Sequence, residues 1–208
     1  SWVDIVALQR AFNRRVPFLK FFIKQILVWV PFLGQAWWAM DMPFMKRYSR
    51  AYLEKHPEKR GLDVEATKKA CQRFSGTPTT VINFVEGTRF SAEKKQATQS
   101  PHEHLLRPRA GGVAFALEAM GGIFHSMIDV TVVYPDNKKT FWDLMCGRLR
   151  RVIIDIRVRA LDEWLLKGDY ANDEQFRLHF QEWISSVWAD KDRLIASILA
   201  EQAAKPAT

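Results

Sequence analysis

The stretch 81–91 combines residue types that suit the binding of an anion. Residues 81–85 are mostly apolar and β-branched or aromatic, which predicts a short buried strand. A strand that runs into a carboxylate, a glycine, a hydroxyl and a guanidinium is typical of anion sites in α/β proteins. Gly87 permits close approach of the backbone to a ligand, and Arg89 presents a fork of donors that fits phosphate or carboxylate. A turn that only ends a strand and carries an exposed arginine explains the same residues.

Residues 84–89, F-V-E-G-T-R, resemble the F-P-E-G-T-R block of the lysophosphatidic acid acyltransferases, the glycerolipid enzymes that act on 1-acylglycerol-3-phosphate. Valine replaces the proline of that block, as in the branch that resembles lysocardiolipin acyltransferases. The resemblance implies that Arg89 binds the acceptor's phosphate and that Gly87 and Thr88 shape its pocket. It also implies that Glu86 belongs to the catalytic site, where it orders the same network.

Residues 1–4, S-W-V-D, resemble the end of the family's N-H-x-x-x-x-D block, whose histidine acts as general base. The resemblance implies that Asp4 orients that imidazole and that the histidine lies two residues before Ser1. We therefore expect the sequence to be truncated just after the histidine and to be inactive without it. Asp4 also suits the first turn of a helix, where a carboxylate interacts favourably with the macrodipole.

Two further arginines complete the phosphate site that the resemblance implies. Residues 41–47 resemble the family's G-x-x-F-I-x-R block, although Asp41 stands at the glycine position. Arg47 matches the arginine that contributes to glycerol-phosphate binding, but it also belongs to a basic run at 46–50 that fits a solvated surface. Arg109 matches a basic residue that the family carries before a glycine and a helix. A glycine-rich turn that leads into a helix suits an anion on physical grounds as well.

Charge is distributed unevenly along the 208 residues, whose net charge is +8. Residues 1–50 carry +6 and residues 162–204 carry −5. The basic, tryptophan-rich N-terminal part favours contact with an anionic membrane surface. On the basis of charge alone, nucleic acid would be an equally suitable partner. Because neither a Cys/His metal framework nor an RNA-binding aromatic signature accompanies the charge, we expect lipid rather than nucleic acid as the partner.

Composition and isolated residue types narrow the class of protein further. A hydrophobic fraction of 48% with 26% charged residues is typical of a globular protein. Cys71 and Cys146 lack motif spacing, which favours free thiols in a reducing compartment. His102 and His104 have no further ligand near them in sequence, so they predict loop histidines rather than a metal site. The uncharged stretch 26–40 holds 15 residues and is interrupted by proline and glycine, so we expect no membrane-spanning segment.

Helical and strand-like patterns alternate along the chain and predict an α/β fold with a mixed, mostly parallel sheet flanked by helices. We expect helices over 4–12, 32–39, 50–74 (one or two), a stretch ending near 120, and 173–200. Strands are expected over 81–85, 127–135 and 152–159, with an irregular loop over 91–104. We predict an acyltransferase domain over 1–161 and a helical extension over 162–208 that packs on the same domain.

The resemblance implies transfer of a fatty acyl group from an acyl-CoA or acyl carrier protein thioester to the sn-2 hydroxyl of 1-acylglycerol-3-phosphate. The product is phosphatidic acid, a phospholipid precursor, and direct attack needs no metal, no cofactor and no covalent intermediate. Two alternatives remain: acylation of another lysophospholipid, such as lysocardiolipin or lysophosphatidylglycerol, and a non-catalytic module that binds anionic membranes or nucleic acid. We expect membrane association on the cytoplasmic face, in the inner membrane of a bacterium.

Overall fold

The structure, a computed structural model, describes residues 2–21, 23–24, 28–40, 42, 44–45, 78–120, 122–124, 126–136 and 140–204. Three of the sequence predictions fall outside these residues: the helices over 50–74, the phosphate ligand Arg47 and the free thiol of Cys71.

Helices and strands follow one another in the order that an α/β protein shows. The helices are α1 (Trp2–Phe12), α2 (Leu33–Ala39), α3 (Ala92–Ala97), α4 (Ala110–Met120), α5 (Phe141–Met145), α6 (Glu163–Lys167) and α7 (Glu174–Ala203). The strands are β1 (Leu19–Phe21), β2 (Ile23–Lys24), β3 (Phe44–Met45), β4 (Thr80–Ile82), β5 (Met127–Val133) and β6 (Ile153–Arg159).

The described strands form three pairs. Strands β1 and β4 are parallel, as are β2 and β3, whereas β5 and β6 are antiparallel over seven residues each. Parallel strands need a crossover connection, and a long stretch of chain separates β1 from β4. The mixture of parallel and antiparallel pairs among helices confirms the predicted α/β fold class.

Helix α7 forms the largest described core together with α4. The Asp173 side chain accepts a hydrogen bond from the Phe176 N–H at 3.0 Å and so caps the start of α7. Apolar side chains of α7 then recur at helical spacing: Phe180, Ile184, Val187 and Trp188. They pack against Ala110, Ala114 and Leu117 of α4. Alanines let the two helices approach closely, so α7 fixes the position of α4 and of the arginine just before it.

Several elements differ from the sequence predictions. Part of the loop predicted over 91–104 is the short helix α3, which begins where the Ser91 side chain accepts a hydrogen bond from the Lys94 N–H. Strand β4 ends at Ile82, earlier than predicted, because the chain turns at residues 84–87. Within the described residues, no helix is both long enough and apolar enough to cross a membrane.

Candidate active site

The turn after β4 is closed by backbone hydrogen bonds and a glycine. The Gly87 N–H donates to the Phe84 carbonyl at 2.9 Å, and Gly87 has φ +66°, a conformation that favours glycine. The Arg109 N–H donates to the Val85 carbonyl, also at 2.9 Å. This second bond ties the turn to the start of α4, so the two segments that the sequence assigns to anion binding are joined.

The Arg109 side chain lies directly over Gly87. A Cβ atom placed at residue 87 would stand 3.2 Å from Cδ of Arg109, closer than ordinary van der Waals contact. Glycine at 87 therefore favours both the backbone conformation and the close approach of the arginine. The structure brings these two predicted residues into contact.

A lysine that the sequence analysis missed orders the rest of the turn. Lys94, on α3, donates from Nζ to the Thr88 hydroxyl at 2.8 Å and to the Arg89 carbonyl at 3.2 Å. The Arg89 side chain is exposed and makes no ion pair with any residue that the structure describes. Arg89, Lys94 and Arg109 thus surround one turn with cationic groups, an arrangement that attracts an anion. The signal for Lys94 in the sequence was its place one helical turn after Ser91, which caps α3.

Asp4 is held by a tyrosine that the sequence analysis also missed. The Tyr134 hydroxyl donates to Oδ1 of Asp4 at 2.5 Å, from just beyond the end of β5. Burial and the neighbouring Asp4 carboxylate raise the pKa of Tyr134 above its ordinary range, so the hydroxyl keeps its proton at any physiological pH. The apolar strand ending in Pro135 marked this place in the sequence, without assigning chemistry to the tyrosine.

Glu86 is half-buried in the same region and has a perturbed pKa. Burial raises the pKa of Glu86 from 4.5 to about 7, while a hydrogen bond from the Leu106 backbone and the positive charge of Lys191 act in the opposite direction. Among the described residues, no ion pair joins Glu86 to Arg89 or Arg109. The Leu106 backbone is the hydrogen-bond partner seen for Glu86, and the role that the resemblance implies for this residue stays a prediction.

Lys191 belongs to a buried polar cluster beside Glu86. It forms an ion pair with Asp129 and donates to the Val130 carbonyl at 2.8 Å and to the Thr131 hydroxyl at 3.2 Å. Arg159 binds the other oxygen of Asp129 at 3.0 Å. Burial lowers the pKa of Lys191, and the Asp129 carboxylate opposes that change. The cluster joins α7 to the β5–β6 pair.

A single large cavity collects most of the predicted residues. Its volume is about 1510 Å³, and its lining includes Asp4, Glu86, Gly87, Thr88, Arg89 and Tyr134. Apolar side chains from α1, α4, β5 and α7 form much of the remaining wall. Arg109 lies outside this lining and borders a second cavity of about 830 Å³ with His102 and Arg107. Within the part of the chain that the structure describes, no cluster of His, Cys, Asp and Glu has the arrangement to hold a metal ion.

The fold and the site together define an α/β protein with a cationic turn at the edge of a large apolar cavity, which fits an amphiphilic anion. The sequence profile described as Acyltransferase matches residues 1–135, well over half of the chain. The chain belongs to the acyltransferase family, as the resemblance predicted.

Individual relatives point in the same direction at low identity. The chain is 26% identical over 134 residues to 2-acyl-1-lysophosphatidylinositol acyltransferase of Saccharomyces cerevisiae, covering 57% of this chain and 32% of the yeast protein. It is 25% identical over 187 residues to human 1-acyl-sn-glycerol-3-phosphate acyltransferase gamma, covering 84% of this chain and 44% of the human protein. The chain thus spans less than half the length of these relatives. No solved structure matches it significantly.

Proposed function

We propose that this chain carries the acyl-transfer site of an O-acyltransferase that acts on 1-acylglycerol-3-phosphate. The reaction moves a fatty acyl group from an acyl-CoA or acyl carrier protein thioester to the sn-2 hydroxyl and gives phosphatidic acid. The observation that carries the proposal is the Gly87 turn, where Arg89, Lys94 and Arg109 gather at the edge of a cavity with apolar walls. The cationic turn suits a phosphate, and the apolar walls suit a hydrocarbon chain.

The chemistry follows from the carboxylate at the start of α1. A histidine that completes the block before Ser1 takes the proton of the sn-2 hydroxyl while the hydroxyl oxygen attacks the thioester carbonyl. The C–S bond then breaks, the leaving thiolate takes the proton back from the imidazolium and departs as the thiol, and the new ester forms without a covalent intermediate on the protein. Asp4 orients the imidazole and stabilises the imidazolium. In this scheme Tyr134 fixes the Asp4 carboxylate, and neither a metal nor a cofactor takes part.

A second acceptor has support from a specific observation. The yeast relative is named for an acceptor that carries an inositol headgroup, so this family also serves headgroups larger than a bare phosphate. An exposed Arg89 at the cavity rim accommodates a phosphodiester as well as a phosphomonoester. The second candidate is therefore acylation of another lysophospholipid, such as lysocardiolipin, lysophosphatidylglycerol or lysophosphatidylinositol.

The test uses the chain extended at its N-terminus by the Asn-His-x that completes the family block. We expect this protein to convert 1-acylglycerol-3-phosphate and one acyl-CoA to phosphatidic acid, measured by thin-layer chromatography of radiolabelled product. Replacing that histidine by alanine is expected to abolish transfer under the same conditions. A panel of lysophospholipids assayed with that acyl-CoA identifies the preferred acceptor. Absence of transfer to every acceptor would refute the proposed activity.

Arg89→Ala tests the assigned phosphate site. Removing one charge-assisted contact to the phosphate is expected to raise the KM for the acceptor about tenfold or more. The KM for acyl-CoA should stay unchanged, which separates acceptor binding from general damage. Arg193→Ala, an exposed arginine on α7, is the matched control. A non-catalytic module would instead bind anionic vesicles or nucleic acid in a salt-dependent manner that survives Arg89→Ala.

The proposed reaction also places the protein at a membrane, because lysophospholipid acceptors and phosphatidic acid reside in bilayers. We propose association with the cytoplasmic face, and the bacterial inner membrane stays a prediction. Fractionation of cells that express the extended protein tests the association: the protein should sediment with membranes at low salt.

A further inference from the structure

Helix α5 exposes large apolar side chains to solvent. Phe141 is 49% exposed, Trp142 70% and Met145 64%. A capping box stabilises the start of the helix. The Asp143 N–H donates to the Thr140 hydroxyl and the Thr140 N–H donates to the Asp143 carboxylate, each at 3.1 Å. An exposed apolar cluster of this kind on a well-capped helix is typical of a surface that binds a partner.

Basic residues flank this apolar cluster in the sequence. The segment 138–151 holds five basic residues and one acidic residue, a net charge of +4. Arg148 forms an ion pair with Asp143 at 3.0 Å. Arg150 makes no ion pair with a described residue, and Arg151 donates only to the neutral oxygen of Gln202. Two positive charges that closely follow α5 in the sequence are therefore available to an anionic partner.

The position of α5 relates it to the large cavity. Thr140 and Phe141 belong to the cavity lining, and α5 contacts α1, the helix that carries Asp4. Residues 28–40 also expose aromatic side chains, but none of those described residues lines the cavity. The N-terminal end of α5 therefore borders the cavity.

We propose that α5 together with Arg150 and Arg151 docks the protein on an anionic lipid bilayer, with the cavity facing the lipid. Trp142 and Met145 insert at the level of the headgroups, where tryptophan is favoured, and the arginines contact anionic headgroups. The role of this docking in catalysis rests on the proposed function, because only a lipid substrate needs a path from the bilayer to the cavity. Docking itself is a property of the surface and is measurable without catalysis.

The test is co-sedimentation of the purified chain with phosphatidylcholine vesicles, with and without phosphatidylglycerol. Trp142→Ser combined with Met145→Ser is expected to lower vesicle partitioning about tenfold or more. Arg150→Gln and Arg151→Gln should each lower it about fivefold, and only on vesicles that contain phosphatidylglycerol. The matched controls lie on α7: Leu178→Ser at a position 54% exposed, and Arg193→Gln at a side chain 78% exposed. Both controls should partition like the wild-type chain.

A reporter on the helix gives a second readout. Cys146 is exposed and directly follows α5, so a polarity-sensitive fluorophore attached there in a Cys71→Ser background should shift to the blue on phosphatidylglycerol vesicles. Equal partitioning of the α5 variants and the wild-type chain would overturn the proposal. So would an unshifted reporter on vesicle-bound protein. Binding of the wild-type chain to acidic acyl carrier protein, but not to vesicles, would assign the surface to a protein partner instead.

A comparison of acceptor forms separates failure of this proposal from failure of the proposed function. In the extended protein, Trp142→Ser/Met145→Ser should lower transfer to an acceptor embedded in vesicles and spare transfer to a short-chain acceptor dissolved in water. If the wild-type protein transfers acyl groups to neither form, the proposed function fails while the vesicle measurements still decide the docking. If the variant transfers to both forms as well as the wild type does, the docking surface is refuted.

Discussion

Tyr134 donates a hydrogen bond to the Asp4 carboxylate and so helps to fix its orientation. Tyr134→Phe removes the hydroxyl and keeps the ring, so the Asp4 carboxylate loses one of the contacts that fix its orientation. We expect kcat of the extended protein to fall about tenfold with little change in either KM, because a positioning residue acts on chemistry rather than on binding. Steady-state kinetics and the pH profile of kcat check the prediction.

Tyr170→Phe serves as the control for this variant. Tyr170 lies outside the large cavity, and its hydroxyl accepts a hydrogen bond from Gln181 at 3.0 Å. Both variants lose one tyrosine hydroxyl, so both should lower the free energy of unfolding by about 1 kcal/mol. A kcat for Tyr134→Phe equal to that of Tyr170→Phe would remove Tyr134 from the site.

Gly87 offers a prediction with an internal control, because two glycines in the chain share one backbone conformation. Gly87 and Gly147 both have φ +66°, but a Cβ at 87 meets Arg109 at 3.2 Å whereas a Cβ at 147 meets nothing within 4 Å. Alanine at either position should cost about 1 kcal/mol of stability from backbone strain. Only Gly87→Ala should also displace Arg109 and raise the acceptor KM severalfold. Chemical denaturation and acceptor kinetics measure the two effects, and equal acceptor KM values for the two variants would contradict the assignment.

Glu86 makes stability depend on pH. Its pKa is raised from 4.5 to about 7 in the fold, so between these values the folded chain keeps a proton that the unfolded chain releases. Stability is therefore greatest at low pH, as far as this group is concerned, and falls as the pH rises towards about 7. A pKa difference of this size corresponds to about 3 kcal/mol, and because Glu86 is only half-buried, solvent screening reduces the expected loss to about 1–2 kcal/mol.

Glu86→Gln removes this titration and keeps an oxygen that accepts from the Leu106 backbone. We expect the free energy of unfolding of the variant to lose the decline between pH values of about 5 and 7, and to exceed that of the wild type at about pH 8. Urea denaturation followed at several pH values gives the comparison. Glu93→Gln, on the exposed helix α3, should keep the wild-type profile. An unchanged pH profile for Glu86→Gln would refute the raised pKa.

Elements are held together by buried polar contacts as well as by apolar packing, and Lys191 is the clearest case. Lys191→Met removes an ion pair with Asp129 and two hydrogen bonds that join α7 to β5. We expect a loss of about 3 kcal/mol in the free energy of unfolding, since only Arg159 is left to balance Asp129 and two oxygens of β5 lose a buried donor. Lys167→Met breaks an exposed ion pair with Glu163 and should change stability by less than about 0.5 kcal/mol. Similar losses for the two variants would contradict the buried role of Lys191.

Element prediction from the sequence succeeded where a long apolar period or a strong boundary was present. Helix α7 has an acidic cap at Asp173 followed by regularly spaced apolar residues, and strand β5 is a continuous apolar run stopped by Pro135, so both were predicted close to their observed bounds. Helix α3 buries none of its side chains, so it lacks the apolar stripe on which such a prediction depends. Strands of two or three residues, such as β2 and β4, are too short to show a period.

Site residues that lie close together in the sequence could be predicted, whereas contacts between residues far apart in the sequence could not. The turn residues Gly87 and Arg89 stand together in one short motif, and the resemblance added Arg109 from a nearby segment. The contact between Asp4 and Tyr134 joins residues 130 positions apart, so no local sequence pattern predicts it. Lys191 illustrates the same limit, because its charge reaches Glu86 only once α7 has packed against β5. The roles that the resemblance assigns to the site residues stay predictions.

The large cavity exists only in the whole molecule, because its wall is shared by elements from both ends of the chain. Helix α1 contributes Asp4 to the wall, and α7 contributes Trp188 and Lys191. The cationic turn follows β4, and Tyr134 follows β5. The C-terminal segment is thus part of the wall. The predicted division of the chain into two parts after residue 161 stays a prediction.

Removal of residues 162–208 is expected to unfold the rest of the chain. Phe180 is fully buried, and with Ile184, Val187 and Trp188 it covers the inner face of α4, so the deletion exposes the largest described core to water. We expect residues 1–161 to lack a cooperative thermal transition in circular dichroism and to be degraded rapidly by protease. Residues 1–204 should melt like the whole chain, because α7 ends at Ala203. A cooperative transition for residues 1–161 would show that α4 finds its cover elsewhere and that the C-terminal helices are an independent addition to the acyltransferase fold.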